Sequence, residues 1–428
     1  MPQRSIVIVG GGFAGTTAAR LLQRRLPPQC ELTLVSEESY TTFNPLLPEA
    51  VGAAIFPEQA VAPIRAMLRQ DAATRFVMGT VTAVDTGRRT VACSTLAGER
   101  MLEYDELVLA FGNRARLDLV PGMAEHALPL KTVGDALHIR NRVLRRAARL
   151  ELESEPRLRR RVGHFVVIGG GFSGVEVAGT LADCLAGIRR YYPRVAPGEL
   201  RITLLQDIER LLPELPPRLG AAAAASLRLR GVDVRLGARA EEILADAVRL
   251  ADGTRLDAAT VISTIGTRPN ALVAALGLPL ERGRIVVDPD LGVRGHPGLW
   301  AIGDCARVPN AWDGGLAPPT AQFAVREARQ LAANLAAKLS GGEARPFRYR
   351  PRGMMASIGH RKGVAELFGV PLSGLPAWLL WRAYYLSQMP TFARKLRLAV
   401  EWSWGMLFPG DITHLRFSRS AEQESKTG

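Results

Sequence analysis

IVIVGGGFAG at 6–15 and VVIGGGFSGVE at 166–176 are two spellings of one signal, and together they decide the fold. Each is a short β-branched run that stops at glycines and resumes as a helix-compatible stretch, the context that makes a G-x-G-x-x-G spacing informative. In such a turn the first glycine (Gly10, Gly169) permits the tight bend. The second (Gly12, Gly171) lets backbone amides approach a pyrophosphate, and the third (Gly15, Gly174) lets helix and strand pack closely. The phosphate then rests at the helix N-terminus, where free N–H groups and the helix dipole favour negative charge. Two such turns in one chain imply two dinucleotides on one polypeptide, and hence electron transfer between them.

Working outward, the first turn leads through TTAARLLQRRL into the strand ELTLVSEE, which brings Glu37 and Glu38 behind the glycines. A carboxylate at that strand end accepts hydrogen bonds from ribose hydroxyls, and Glu37 is taken as the ligand; surface acids in a turn are the plain alternative. Residues 72–112 read as short strands ending in YDELVLAFGN, where Gly112 makes the turn. A basic amphipathic stretch at 134–161 leads to the second turn, and its following strand RITLLQ ends in Gln206. Glutamine hydrogen-bonds a ribose without repelling a 2′-phosphate, while Asp207 beside it restores a preference for NADH, so NADH and NADPH both stay open. A helix is expected at 218–230, paired strands from 232 to 265, a buried strand within LWAIGDCA (299–306) and a helix at 320–339. Repeated βαβ units predict an α/β protein with mostly parallel sheets: two Rossmann-like domains with inserted β-meanders.

The chain has 428 residues, enough for two or three domains, and its hydrophobic content of 47% is that of a globular protein. Its +14 charge comes largely from arginine, and the block Arg157, Arg159, Arg160, Arg161 reads as a solvated helix face. No zinc-finger spacing or aromatic-basic RNA motif accompanies it, which argues against nucleic acid. The first apolar run passes straight into a glycine turn, as a domain's first strand does and a signal peptide does not. No apolar run reaches the roughly 18 residues of a membrane span. Cys30, Cys93, Cys184 and Cys305 are scattered, consistent with reduced structural thiols in a cytoplasmic setting, and the histidines show no metal-ligand spacing. Disorder is expected only in the tail AEQESKTG. The end of the chain differs: PAWLLWRAYYLSQM (376–389) is almost wholly apolar, and TFARKLRLAVEWSWGMLF (391–408) mixes cations with aromatics. That composition suits a membrane interface, and equally a buried core or dimer contact.

Taken in order, GGGFAG, FNPLLPEAVG (43–52), YDELVLAFG (104–112), PLKT (129–132), GGGFSGVEVAGTL (169–181), LWAIGDCA and PPTAQFAVREA (318–328) cover nearly the whole chain. So read, the chain resembles the pyridine-nucleotide–disulfide oxidoreductases, and within them the type II NADH dehydrogenases, single-subunit NADH:quinone oxidoreductases. The resemblance implies FAD on Gly10, Gly12, Gly15, Glu37, Gly112, Asp304 and Ala321, and NADH or NADPH on Gly169, Gly171, Gly174 and Gln206. It implies Glu176 near the nicotinamide, in catalysis or proton movement; as a residue, Glu176 is also a first-turn acid facing the helix dipole. It implies quinone near Ala321 and Gln322, with Lys131 tuning flavin or nicotinamide, and no metal. The family's A-Q-x-A-x-Q is AQFAVRE here, with Arg326 in place of the second glutamine. The implied layout is a flavin domain at 1–120 and 280–345, an NAD(P)H domain at 121–279 and a small C-terminal α/β membrane-association region at 346–428. The protein is then a homodimer, peripheral on the cytoplasmic face of the cell membrane, without a proton pump. Two related activities stay open: sulfide:quinone oxidoreduction, which needs cysteines beside the flavin, and a soluble NAD(P)H-dependent flavoprotein reductase. A non-enzymatic flavin-binding protein is the alternative of another class.

Overall fold

The computed structural model describes residues 4–69, 71, 73–408 and 410–415; the AEQESKTG tail lies outside the described residues. The strand Arg4–Val9 pairs in parallel with Cys30–Ser36 on one side and Glu106–Leu109 on the other. Ile6, Val7 and Ile8 are buried, as expected of a central parallel strand covered on both faces. Outside Cys30–Ser36 the sheet continues through Thr74–Asp85 and then the antiparallel strands Thr90–Thr95 and Gly98–Glu103, the first meander. Its other edge is Leu299–Ala301, which returns from far downstream to lie parallel to Glu106–Leu109. That return carries Gly303, Asp304 and Cys305 to the end of the sheet where the first glycine turn sits.

The second sheet is wholly parallel, in the order Ala127–Pro129, Thr260–Ser263, His164–Ile168, Arg201–Leu205, Val232–Arg235. A second meander spans Ala240–Ile243, Ala247–Leu250 and Arg255–Asp257. The two sheets are tied by Asn113–Ala115 pairing antiparallel with Thr267–Pro269. The basic stretch resolves into two helices, Val133–Leu152, opened by a Thr132–Asp135 capping box, and Pro156–Val162. Pro156 lacks the N–H needed to continue the first helix, so it starts a new one. The arginine block is only partly solvated: Arg159 binds Glu199 at 2.6 Å and Arg161 binds Asp246 at 3.0 Å, while Arg157 and Arg160 are exposed. The helix expected at 218–230 is Pro217–Arg228, followed by Gly231 at φ +79°.

Beyond residue 350 a three-stranded antiparallel sheet (Gly353–Ser357, Gly363–Leu367, Val370–Ser373) carries the helix Leu375–Gln388. That helix buries Ala377, Trp378 and Trp381. The last helix, Phe392–Leu407, packs Leu398 and Trp402 inward and leaves Phe392, Leu396, Val400, Trp404 and Leu407 exposed. Among the described residues no helix is long and apolar enough to cross a membrane.

Candidate active site

At the first turn Gly10 has φ +116°, and a Cβ there would stand 2.1 Å from the Ala110 carbonyl oxygen. A Cβ on Gly15 would stand 1.9 Å from the Gly10 oxygen, whereas one on Gly12 meets no protein atom within 4 Å. The open side of Gly12 faces a cleft of about 280 Å³ that also reaches Glu37, Gly112, Lys131, Asp304 and Ala321. Six of the seven residues expected at FAD therefore share this cleft with Lys131; Gly15 lies behind it, holding helix against strand. Glu37 follows the last strand residue, Ser36, and pairs with Arg114 at 2.5 Å. Burial raises the pKa of Asp304, opposed by Lys131 and Arg284; burial lowers that of Lys131, opposed by Asp304. The Asp304 turn is fixed by Glu327, whose Oε2 accepts the Gly303 N–H at 2.6 Å. Burial pushes Glu327 up to about 7. Asn113 also lines the cleft, and its Oδ1 is buried without a donor. An open glycine cradle at a helix start, a carboxylate at the strand end and an orphaned acceptor fit a flavin adenine dinucleotide.

The second turn repeats the first: Gly169 at φ +108°, Gly174 with a Cβ position 1.7 Å from the Gly169 oxygen, Gly171 open. Hydrogen bonds align the two units residue by residue. Gly10 N–H donates to Val35 O and Gly169 N–H to Leu205 O, so Ser36 matches Gln206 and Glu37 matches Asp207. Gln206 is accordingly not at the ribose position. It is buried beneath the turn, its Oε1 accepting the Gly170 N–H at 2.7 Å. The exposed carboxylate beside the turn is Asp207. An opening of about 140 Å³ between the two units is lined by Asn44, Pro48, Lys131, Ser173, Thr264 and Gly266; Asn44 and Lys131 also line the flavin cleft.

A second opening, about 220 Å³, shares Phe13 and Ala321 with the cleft and continues past Gln322, Phe43 and Tyr385. Ala321 and Gln322 begin the helix Ala321–Leu339, capped by Thr320. Gln322 Nε2 donates to Tyr349 Oη at 2.9 Å, and the Arg326 guanidinium lies 5.2 Å from the Tyr349 ring centroid. Glu176 stands apart, lining neither the cleft nor either opening. Its Oε1 accepts from Ser357 N at 3.0 Å and Trp381 Nε1 at 3.2 Å, and burial pushes its carboxyl up to about 8. All four cysteines are free and buried, and none lines the cleft or its two openings.

Residues 4–328 match the pyridine nucleotide-disulphide oxidoreductase family and residues 352–410 the NDH2 C-terminal domain. The chain is 30% identical over 418 residues to the type II NADH:quinone oxidoreductase Ndh of Mycobacterium tuberculosis, covering 93% of this chain and 87% of that protein. The chain belongs to the type II NADH:quinone oxidoreductase family. It is also 31% identical to the demethylphylloquinone reductase NdbB of Synechocystis, across 93% of this chain and 95% of that one. The fold matches NDH2 from Plasmodium falciparum, solved in complex with NADH, with a TM-score of 0.89 over 96% of this chain and all of that one at 19% identity.

Within this family fold, three site residues escaped the sequence reading. Glu327 looks like any helix acid, and only the long-range return of Leu299–Ala301 brings Gly303 to it. Thr41, whose buried hydroxyl has no partner in the second opening, and Tyr349, which holds Gln322, carry no sequence motif. Asp207 was in view beside Gln206; strand register separates the two.

Proposed function

We propose that the protein oxidises NADH and reduces a membrane quinone by two electrons, without pumping protons. The observation that carries this reading is one dinucleotide cleft touched by two separate openings, at Asn44 and Lys131 on one side and at Phe13 and Ala321 on the other. Gly10, Gly12 and the start of the following helix hold the FAD pyrophosphate, Glu37 its ribose, and Asp304 the ribityl–phosphate part. FAD bound there supplies a two-electron carrier that accepts hydride from nicotinamide and returns the pair to a quinone. The chain's part is placement and exclusion of water. Gly169, Gly171 and Asp207 hold NADH so that its ring enters the inter-domain opening beside Lys131, whose charge lies next to Asp304. A carboxylate at Asp207 disfavours the extra phosphate of NADPH. Phe13, Phe43, Ala321 and Gln322 receive the quinone ring. The flavin part is assigned to 1–120 and 280–345, the NADH part to 121–279, and 346–428 to membrane association.

The exposed apolar face of Phe392–Leu407 supports docking on a membrane surface, peripherally and on the cytoplasmic side, where Arg397 and Lys395 meet anionic headgroups. Homodimerisation is part of the same proposal. Buried cysteines with thiol pKa values pushed up to about 12 at Cys184 and Cys305 weigh against sulfide chemistry. The test is anaerobic: NADH should bleach the bound flavin, and a short-chain quinone should restore its colour. Bleaching by sulfide and not by NADH, or no reoxidation by any quinone, overturns the reading.

A further inference from the structure

The acceptor opening carries Arg20, Arg24, Arg326 and Arg329, and no carboxylate among its described lining residues. Burial and neighbouring arginines hold Arg20 and Arg329 below the ordinary arginine value: Arg24 acts on Arg20, and Arg326 and Arg20 act on Arg329. Arg20 and Arg326 are half-buried in the opening and Arg24 and Arg329 stand exposed at its rim, so four like charges focus a positive field on an apolar pocket and favour a ligand of opposite charge. Their placement is regular. At 1.5 Å per residue, Arg326 lies about 8 Å and Arg329 about 12 Å along the helix from Ala321, which borders the flavin cleft. Arg326 is oriented over Tyr349, itself held by Gln322. The buried, unpartnered hydroxyl of Thr41 lines the same pocket and independently points to a polar ligand atom. The two tyrosines of the wall, Tyr384 and Tyr385, are poor proton donors, because burial raises the pKa of both hydroxyls.

We propose that this arginine collar binds the ring acceptor in its anionic form, so that the reduced quinone is held as its monoanion and takes its last proton from water at the rim. The inference rests on the acceptor reading above. The net step balances without a proton from the wall: NADH loses hydride to become NAD+, and the neutral quinone gains it to become QH−. A proton from water at the exposed Arg24 and Arg329 then gives QH2. Fixed positive charge aimed where negative charge develops lowers the barrier to forming it.

The test uses a matched pair of rings on the FAD-loaded protein without NADH: a hydroxynaphthoquinone ionised at neutral pH, and its neutral methyl ether. Quenching of protein fluorescence reads the two affinities. The anion is expected to bind about ten- to a hundredfold more tightly than the ether, the scale of a hydrogen bond to a charged group. Arg326→Gln should bring that ratio close to one, Arg326→Lys should keep much of it, and Arg329→Gln should lower it, each with an unchanged melting temperature. Equal affinities in the native protein, or a ratio that survives Arg326→Gln, overturn the proposal. Loss of binding to phosphatidylglycerol vesicles in Arg326→Gln with the ratio intact overturns it too, assigning the collar to lipid. Binding of neither ring, with NADH still bleaching the flavin, removes the acceptor reading itself.

Discussion

Gly12 and Gly15 sit three residues apart in the same motif yet answer to different constraints. Gly12 has open space where a Cβ would go, and Gly15 has a carbonyl oxygen 1.9 Å away. Gly12→Ala should therefore fold with a melting temperature near that of the native protein and emerge with its flavin-to-protein absorbance ratio sharply reduced. Gly15→Ala forces helix from strand and should cost about 2–4 kcal/mol of stability, read by denaturant unfolding. A second residue-scale test concerns Glu176. Its folded pKa, raised by burial to about 8, lies above the unfolded carboxyl value, so the native state binds the extra proton. Its stability contribution is then fully present below about pH 4.5 and is lost as pH rises toward 8, on the order of a few kcal/mol. Glu176→Gln keeps an oxygen for both Ser357 N–H and Trp381 Nε1–H and has nothing to ionise. Across that window its unfolding free energy should fall less with pH than the native protein's; identical slopes reject the assignment.

The helix Phe392–Leu407 separates two kinds of tryptophan by half a turn. Trp402 is buried and donates its indole N–H to Glu49 Oε2 at 2.6 Å; Trp404 is 59% exposed. Trp404→Asp with Leu407→Asp should abolish co-sedimentation with anionic vesicles and leave the melting temperature in place. Trp402→Ala should instead cost about 3–5 kcal/mol of stability, since it opens a cavity and takes the indole donor from Glu49 Oε2, leaving that carboxyl to Arg382 alone. The sequence marked this segment only as a mixture of cations and aromatics; the structure puts Phe392, Leu396, Val400 and Leu407 on the open side and Leu398 and Trp402 on the covered one. Both sides are apolar, however, so composition alone did not say which one is covered. The preceding segment, PAWLLWRAYYLSQM, read equally as a membrane interface or as core; Ala377, Trp378 and Trp381 are buried, packed with the small antiparallel sheet of the α/β region expected at the C-terminus. What was legible was local: a glycine turn states its own backbone constraint within six residues. What was not legible was assembled at long range, as with Glu327 beneath Gly303 or Tyr349 holding Gln322.

At the scale of the molecule the segment Phe43–Pro48 divides the chemistry. Phe43 and Pro45 line the acceptor opening, Leu47 and Pro48 line the nicotinamide opening, and Asn44 reaches the flavin cleft from the latter. No described residue lines both openings, and both border the cleft between them. Lys131→Met removes the charge facing Asp304 on the nicotinamide side and should slow flavin reduction by NADH about ten- to a hundredfold in stopped flow, with quinone reoxidation unaffected. Gln322→Ala releases Tyr349 and Arg326 on the other side and should slow reoxidation alone. If the wall at 43–48 insulates the two sides, the double variant should show each defect undiminished in its own half-reaction, additive within about 0.5 kcal/mol. A larger coupling, or a change in NADH-driven bleaching caused by Gln322→Ala alone, means that the openings sense each other through the protein and that the segment moves during turnover.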